Sequence, residues 1–316
     1  MAPNVTTAPA AVLYEEDLAQ TNQPKPKVPT KIVWFNVTVF ILLHIGALYG
    51  AYLLFTSVKF ITIVYTYLLY VASGLGITAG AHRLWSHRAY KAKLPLKIIL
   101  LIFNTLAFQN SIYEWSRDHR HPDVKQKGAG IDMSDLLDDP IVAFQHKYYM
   151  ILMPLICFIL PSIPPVYFWN ETYLNAYFVP VLLRYVWVLH MTWLVNSAAH
   201  FFGGKPYDKY MNPAENKLVA IGALGEGWHN YHHVFPWDYK AAELGNYRFN
   251  FTTAFIDFFS RIGWAYDLKT VSSDMVKHRV QRTGDGTHNV WGWGDKDQTN
   301  DEREDAVIIN NHAKSQ

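Results

Sequence analysis

The 316-residue sequence predicts an all-α integral membrane protein: four transmembrane helices in two hairpins, with a helical cytosolic cap carrying a histidine-rich site. Three observations predict it. Uncharged runs cover 32–58, 60–81 and 148–170, and a fourth, 172–204, is broken only by Arg184. Each is longer than the ~20 residues a helix needs to cross a bilayer's hydrocarbon layer. Basic residues are unevenly spread: ten Lys or Arg lie in 81–147 and none in 168–178. Finally, short histidine clusters follow the apolar runs instead of lying inside them.

Residues 1–30 are polar and Pro-rich, which predicts a disordered cytosolic N-terminus and no cleaved signal peptide. Residues 31–80 form the first transmembrane hairpin, turning at Lys59. The segment 81–147 follows on the cytosolic side; within it, 94–109 is apolar but carries Lys97 and reads as a buried or interfacial helix. Residues 148–200 form the second hairpin, and Gly203-Gly204 with Pro206 mark its exit. A second cytosolic segment spans 201–282, and 283–316 is a tail rich in Asp, Asn and Gly. The positive-inside tendency puts both termini and both of these segments in the cytosol. Asn170-Glu171-Thr172 is then a lumenal glycosylation sequon in a tight loop. A net charge of +2 gives no reason to expect nucleic acid, and the single Cys157 excludes a disulfide framework and thiolate zinc sites.

The histidines carry the chemistry. His82 and His87 are five apart, about 140° around an ideal α-helix, so they serve two metals or one metal across a helix end. His229, His232 and His233 have the i, i+3, i+4 spacing of one helix face. His200 ends the fourth span, with Asn196 one turn before it. A nitrogen-only donor set suits iron, zinc or copper. His44 and His190 read as core histidines, His146, His278, His288 and His312 as surface ones, and Arg184 as snorkelling or paired in the bundle. Tyr65, Leu69 and Ala72 share a face of the second span, either plugging a cavity or packing on neighbours.

Ala-His-Arg-Leu-Trp-Ser-His-Arg (81–88), Asn-Ser-Ala-Ala-His (196–200) and Gly-Glu-Gly-Trp-His-Asn-Tyr-His-His (225–233), continued by Phe-Pro-Trp-Asp-Tyr (235–239), resemble the membrane fatty acyl-CoA desaturases. The likeness is greatest to the insect, stearoyl-CoA desaturase-like type and covers about 30–282. It implies a multi-pass endoplasmic reticulum protein of fatty acid biosynthesis. A di-iron site would insert a cis double bond into a long-chain acyl-CoA, with O2 as oxidant and electrons from cytochrome b5 and its NADH-dependent reductase. By that resemblance His82, His87, His119, His200, His229, His232 and His233 ligate iron, and Asn196 reaches one iron through water. Gln109, Asn110, Trp115, Thr192 and Trp193 line the acyl tunnel, while Arg117 and Asp118 touch the CoA moiety at its mouth.

The middle motif departs from the pattern. Where the family has His-x-x-His-His, this chain reads His119-Arg120-His121-Pro122. The break reads as an in-frame loss between Arg120 and His121 that removes two of the family's nine ligating histidines. His121 is no substitute, because two residues on a helix face about 200° apart. Weak or incomplete iron binding and little or no desaturation are expected. The alternative is a non-catalytic membrane protein that binds acyl-CoA or partners an intact desaturase.

Overall fold

The computed structural model describes residues 32–120, 132–244 and 246–288. The expected N-terminal lead-in, His121, and most of the polar tail with His312 lie outside them. The chain divides into two units, Met1–Ile41 and Leu42–Gln316; apart from the opening of the first helix, every described element belongs to the second.

Among the described residues, four helical stretches are long and apolar enough to cross a membrane: Trp34–Thr56, Phe60–Ser86, Pro140–Trp169 and Tyr173–Phe201. Only 22% of the most apolar window of the first and of the third is buried inside the protein, so most of their apolar side chains need a lipid environment. The chain is a multi-pass membrane protein, as the uncharged runs predict. The third span starts eight residues before its uncharged run, at Pro140 and not 148. The reason is local: Pro140 fits the first helical position, and the Asp139 carboxylate accepts the Ile141 N–H, so the helix starts ahead of His146 and Lys147.

In chain order the helices are α1 (Trp34–Thr56), α2 (Phe60–Leu75), α3 (Leu94–Ala107), α4 (Ile112–Arg120), α5 (Ser134–Leu137), α6 (Pro140–Met153) and α7 (Ile163–Trp169). They continue as α8 (Tyr173–Tyr177), α9 (Arg184–Asn196), α10 (Ala198–Phe201), α11 (Lys217–Gly222), α12 (His229–Val234), α13 (Phe251–Arg261) and α14 (Ser273–Thr283). A two-stranded antiparallel ribbon, β1 (Lys91–Ala92) and β2 (Ala265–Tyr266), is the one sheet among the described residues.

Three of the spans change helical pitch. α2 passes into a π-helix over Gly76–Ser86, α6 into one over Pro154–Ile159, and α9 is preceded by one over Phe178–Leu183. The first of these matters most, because it carries His82. At its start a Cβ on Gly76 would lie 2.2 Å from the backbone of Phe103 and Asn104, so only glycine lets this π-helix and α3 touch backbone to backbone. α3 then turns by 83° into α4, which brings His119 back beneath the π-helix. Leu84, Trp85, Tyr90, Leu96, Leu100 and Ile256 form the core that locks this corner, closed by Ala92 and Ala265 of the ribbon.

Arg184 is 1% exposed and does not snorkel. It donates to the carbonyls of Pro180, Leu106 and Cys157 and to Ser73 Oγ, so a buried cation is spread over neutral acceptors between spans. Near Lys59 the carboxylate of Glu171 accepts from Thr62 Oγ1, the Lys59 N–H and Asn175, stapling the two hairpin turns together.

Candidate metal centre

Seven imidazoles meet in two groups. His82, His87, His119 and His232 each bring a ring nitrogen within 4.8 Å of the others, and so do His200, His229 and His233. Nε2 atoms face each other at 2.8 Å (His87–His119), 2.9 Å (His82–His232), 3.0 Å (His200–His229) and 3.1 Å (His229–His233). Such a pair can share at most one proton, and four nitrogens crowded together cannot all donate or all accept. Lone pairs aimed at a common point are what a metal would satisfy.

The local helices explain the convergence. His82 and His87 belong to one group, although an ideal α-helix would splay them. The His87 N–H donates to the His82 carbonyl at 3.0 Å, an i to i+5 bond that stacks His87 one wide turn beyond His82. Both rings thus fall in the same four-imidazole group.

The i, i+3, i+4 histidines do not converge on one point. On α12, His229 lies between the directions of His232 and His233, which are about 100° apart. His232 joins His82, while His229 and His233 join His200, so one six-residue helix serves both groups. Asn196 lines the same cavity as His229 and His82.

Burial, reinforced by the charge of His119, pushes the His87 imidazole down to about 3. Burial and then the neighbouring His233 bring His119 to about 4, and His229 and His232 lie well below their ordinary value for the same kind of reason. These rings are therefore neutral at physiological pH, the form that binds metal. His44 and His190 pair with each other at 3.0 Å, outside both groups. His288 corrects its surface assignment: its side chain is 5% exposed and bonded to the Glu243 carboxylate at 2.7 Å, because the chain after α14 folds it against Tyr207.

A cavity of about 650 Å³, its open mouth included, runs from the spans to the histidines. Trp115 and Thr192 line it, together with His82, His119 and His229. Gln109 does not face it but donates to Thr192 Oγ1 at 2.9 Å. Asn110 sits at φ 69° in the sharp turn between α3 and α4. Trp193 is 42% exposed, with its ring against His190. Arg117 and Asp118 pair with each other at 2.8 Å. From the second span the cavity takes Tyr70, Gly74, Ile77 and Thr78, not Tyr65, Leu69 or Ala72. Tyr65 instead packs edge-on to Trp169 at 5.6 Å, the packing alternative.

Sequence reasoning missed three residues. Glu226 accepts from His82 Nδ1 at 2.8 Å, Arg83 clamps Glu226, and Tyr70 donates its hydroxyl to the Gly222 carbonyl over the cavity. A charged residue between two glycines ahead of a histidine cluster was the available signal for Glu226.

Fold and site together define a class: a multi-pass helical membrane protein with two all-imidazole groups that could hold metal, beside a mostly apolar cavity. No family model matches the chain. It is 59% identical to the "Acyl-CoA Delta-9 desaturase" of Acheta domesticus over 98% of both chains, and 52% identical to that organism's "Acyl-CoA Delta12-desaturase" over 97% of this chain and 98% of the relative. The human "Stearoyl-CoA desaturase" is 48% identical over 87% of this chain and 84% of its own length. The chain belongs to the acyl-CoA desaturases, oxidoreductases that desaturate fatty acyl-CoA.

Proposed function

We propose that this chain is an endoplasmic reticulum desaturase that places a cis double bond in a long-chain acyl-CoA, with a metal centre weakened on one side. The observation that carries the reading is the meeting of seven neutral imidazoles at the end of the cavity. The donor chemistry fits the family's iron pair. His82, His87, His119 and His232 would hold one ion, and His200, His229 and His233 the other, with Asn196 through water. When bound, that pair supplies the oxidising strength an unactivated C–H bond requires, with O2 as oxidant and electrons from cytochrome b5.

The protein's own part is placement. The apolar walls exclude water and hold the saturated chain, while Trp115 and Thr192 set where it bends past the histidines. Gln109 orients Thr192, and Asn110, at the turn into α4, and Trp193, beside Thr192, shape the tunnel. Arg117 and Asp118 would meet the CoA end at the mouth. The cap segments 81–147 and 201–282 and both termini would face the cytosol, where the electron donor is.

The loss after Arg120 falls on this centre. The alignment with the cricket Delta-9 enzyme runs over 353 positions, more than the 316 residues here, so that relative carries residues this chain lacks. The Arg120 guanidinium, at the end of α4, holds Asp135 of α5 at 2.7 Å. We place the lost ligands here, and expect low turnover from a scaffold that is otherwise complete. Expression in a host without its own desaturase, with fatty-acid analysis and double-bond location, tests this. Abundant product from the 316-residue chain would overturn the weakened centre; none, even after the segment is restored, would overturn the desaturase reading.

A further inference from the structure

Glu226 reaches the histidines by an unusual backbone route. Gly225 has φ +120°, and a Cβ there would lie 2.3 Å from Asn250 Oδ1, so only glycine can pass this point. The next residue is thereby delivered, 7% exposed, to the back of the His82 ring. Its Oε2 lies 2.8 Å from His82 Nδ1, and its Oε1 accepts from Arg83 at 2.8 Å (Nη2) and 3.2 Å (Nε). Arg83 is 1% exposed and also donates to the Tyr239 carbonyl and Thr253 Oγ1, so neither carboxylate oxygen is free to move.

The chemistry of that contact is one-directional. An ionised carboxylate only accepts, so the His82 proton must sit on Nδ1 and its lone pair on Nε2. Nε2 is the atom that faces His232 at 2.9 Å, inside the four-imidazole group. Among the described residues no other imidazole of the seven has a carboxylate partner, and Nδ1 of His229 and His232 is buried with none at all. From this geometry we infer that Glu226, braced by Arg83, is a positioning residue: it fixes the ligating tautomer and ring orientation of His82 and adds negative charge behind it. Carboxylates placed behind ligating histidines typically change metal affinity by 10–100-fold.

The inference rests on the metal-centre reading above, and the test separates the two. The full-length detergent-solubilised protein is titrated with Co2+, following its visible absorption and the bound metal per chain. Glu226→Gln should weaken uptake at one binding step by roughly 10–100-fold and shift the cobalt spectrum. Glu226→Asp, which keeps the charge beside Arg83 but withdraws it from His82, should weaken the same step and decides the matter if the amide variant does not fold. In a His82→Ala background Glu226→Asp should have no further effect. Unchanged affinity in a folded Glu226 variant, or an equal loss without His82, would reduce Glu226 to a structural ion pair. No Co2+ uptake by the unmodified chain would instead overturn the metal-centre reading.

Discussion

His232 and His233 are consecutive residues of α12, yet they enter different surroundings. His232 is 3% exposed and meets three other imidazoles, one of them backed by Glu226. His233 is surface-exposed and meets only His200 and His229, with no carboxylate behind any of the three among the described residues. The deep group is anchored by the π-helix, α4 and a buried ion pair. The shallow group hangs from α10 and from the two ends of α12. Donor number, burial and bracing all favour the first, so the two halves of the centre should differ in affinity.

The largest effect should come from removing the difference. Restoring the missing segment between Arg120 and His121, so that His119 again opens a complete His-x-x-His-His, should raise bound iron towards two per chain and raise product by roughly tenfold or more, equivalent to about 1.4 kcal/mol in the barrier. Unchanged iron content would mean that the two groups were already equal. Next, His232→Ala should remove most of the metal that the unmodified chain retains, whereas His200→Ala should remove little. Equal losses by elemental analysis would break the comparison.

The pH response should sharpen it. His87 and His119 titrate at about 3 and about 4 in the fold, against an ordinary 6.5. The unfolded chain therefore binds more protons below pH 6.5, and the folded form loses stability as pH falls from 6.5 towards 4. The slope is on the order of 1 kcal/mol per pH unit for each histidine. A melting temperature of the metal-free protein that stays flat from pH 7 to 5 would contradict burial of the deep group. The last effect, on stability and local to α4, concerns Arg120. Its bonds to Asp135 and to the Trp85 and Ser86 carbonyls hold α4 against the first histidine motif. Burial pushes the Asp135 carboxyl up, but Arg120 and Arg88 outweigh it and hold it near 2. Arg120→Ala should cost about 1–3 kcal/mol, read from thermal denaturation.

Much of the fold and the site is legible in the sequence. Uncharged length alone predicts the spans, because no side-chain detail is needed to decide that a long apolar helix belongs in lipid. The histidine motifs are legible because such residue types are rare at those spacings. What escapes is pitch and partnership. An α-helical wheel assumes 3.6 residues per turn, so it cannot show that Gly76–Ser86 runs as a π-helix. The split of α12 between two groups depends on where α2 and α10 end in space. The Glu226–His82 pair joins residues 144 positions apart, and only the fold relates them.

α12 also has a thermodynamic consequence. A helix of six residues is too short to be stable alone, and it supplies nitrogen to both groups. An ion that orders α12 from one side changes the affinity waiting on the other, and linkage requires that influence to be equal in both directions. The two groups should therefore be coupled, an ion in the deep group raising the affinity of the shallow one.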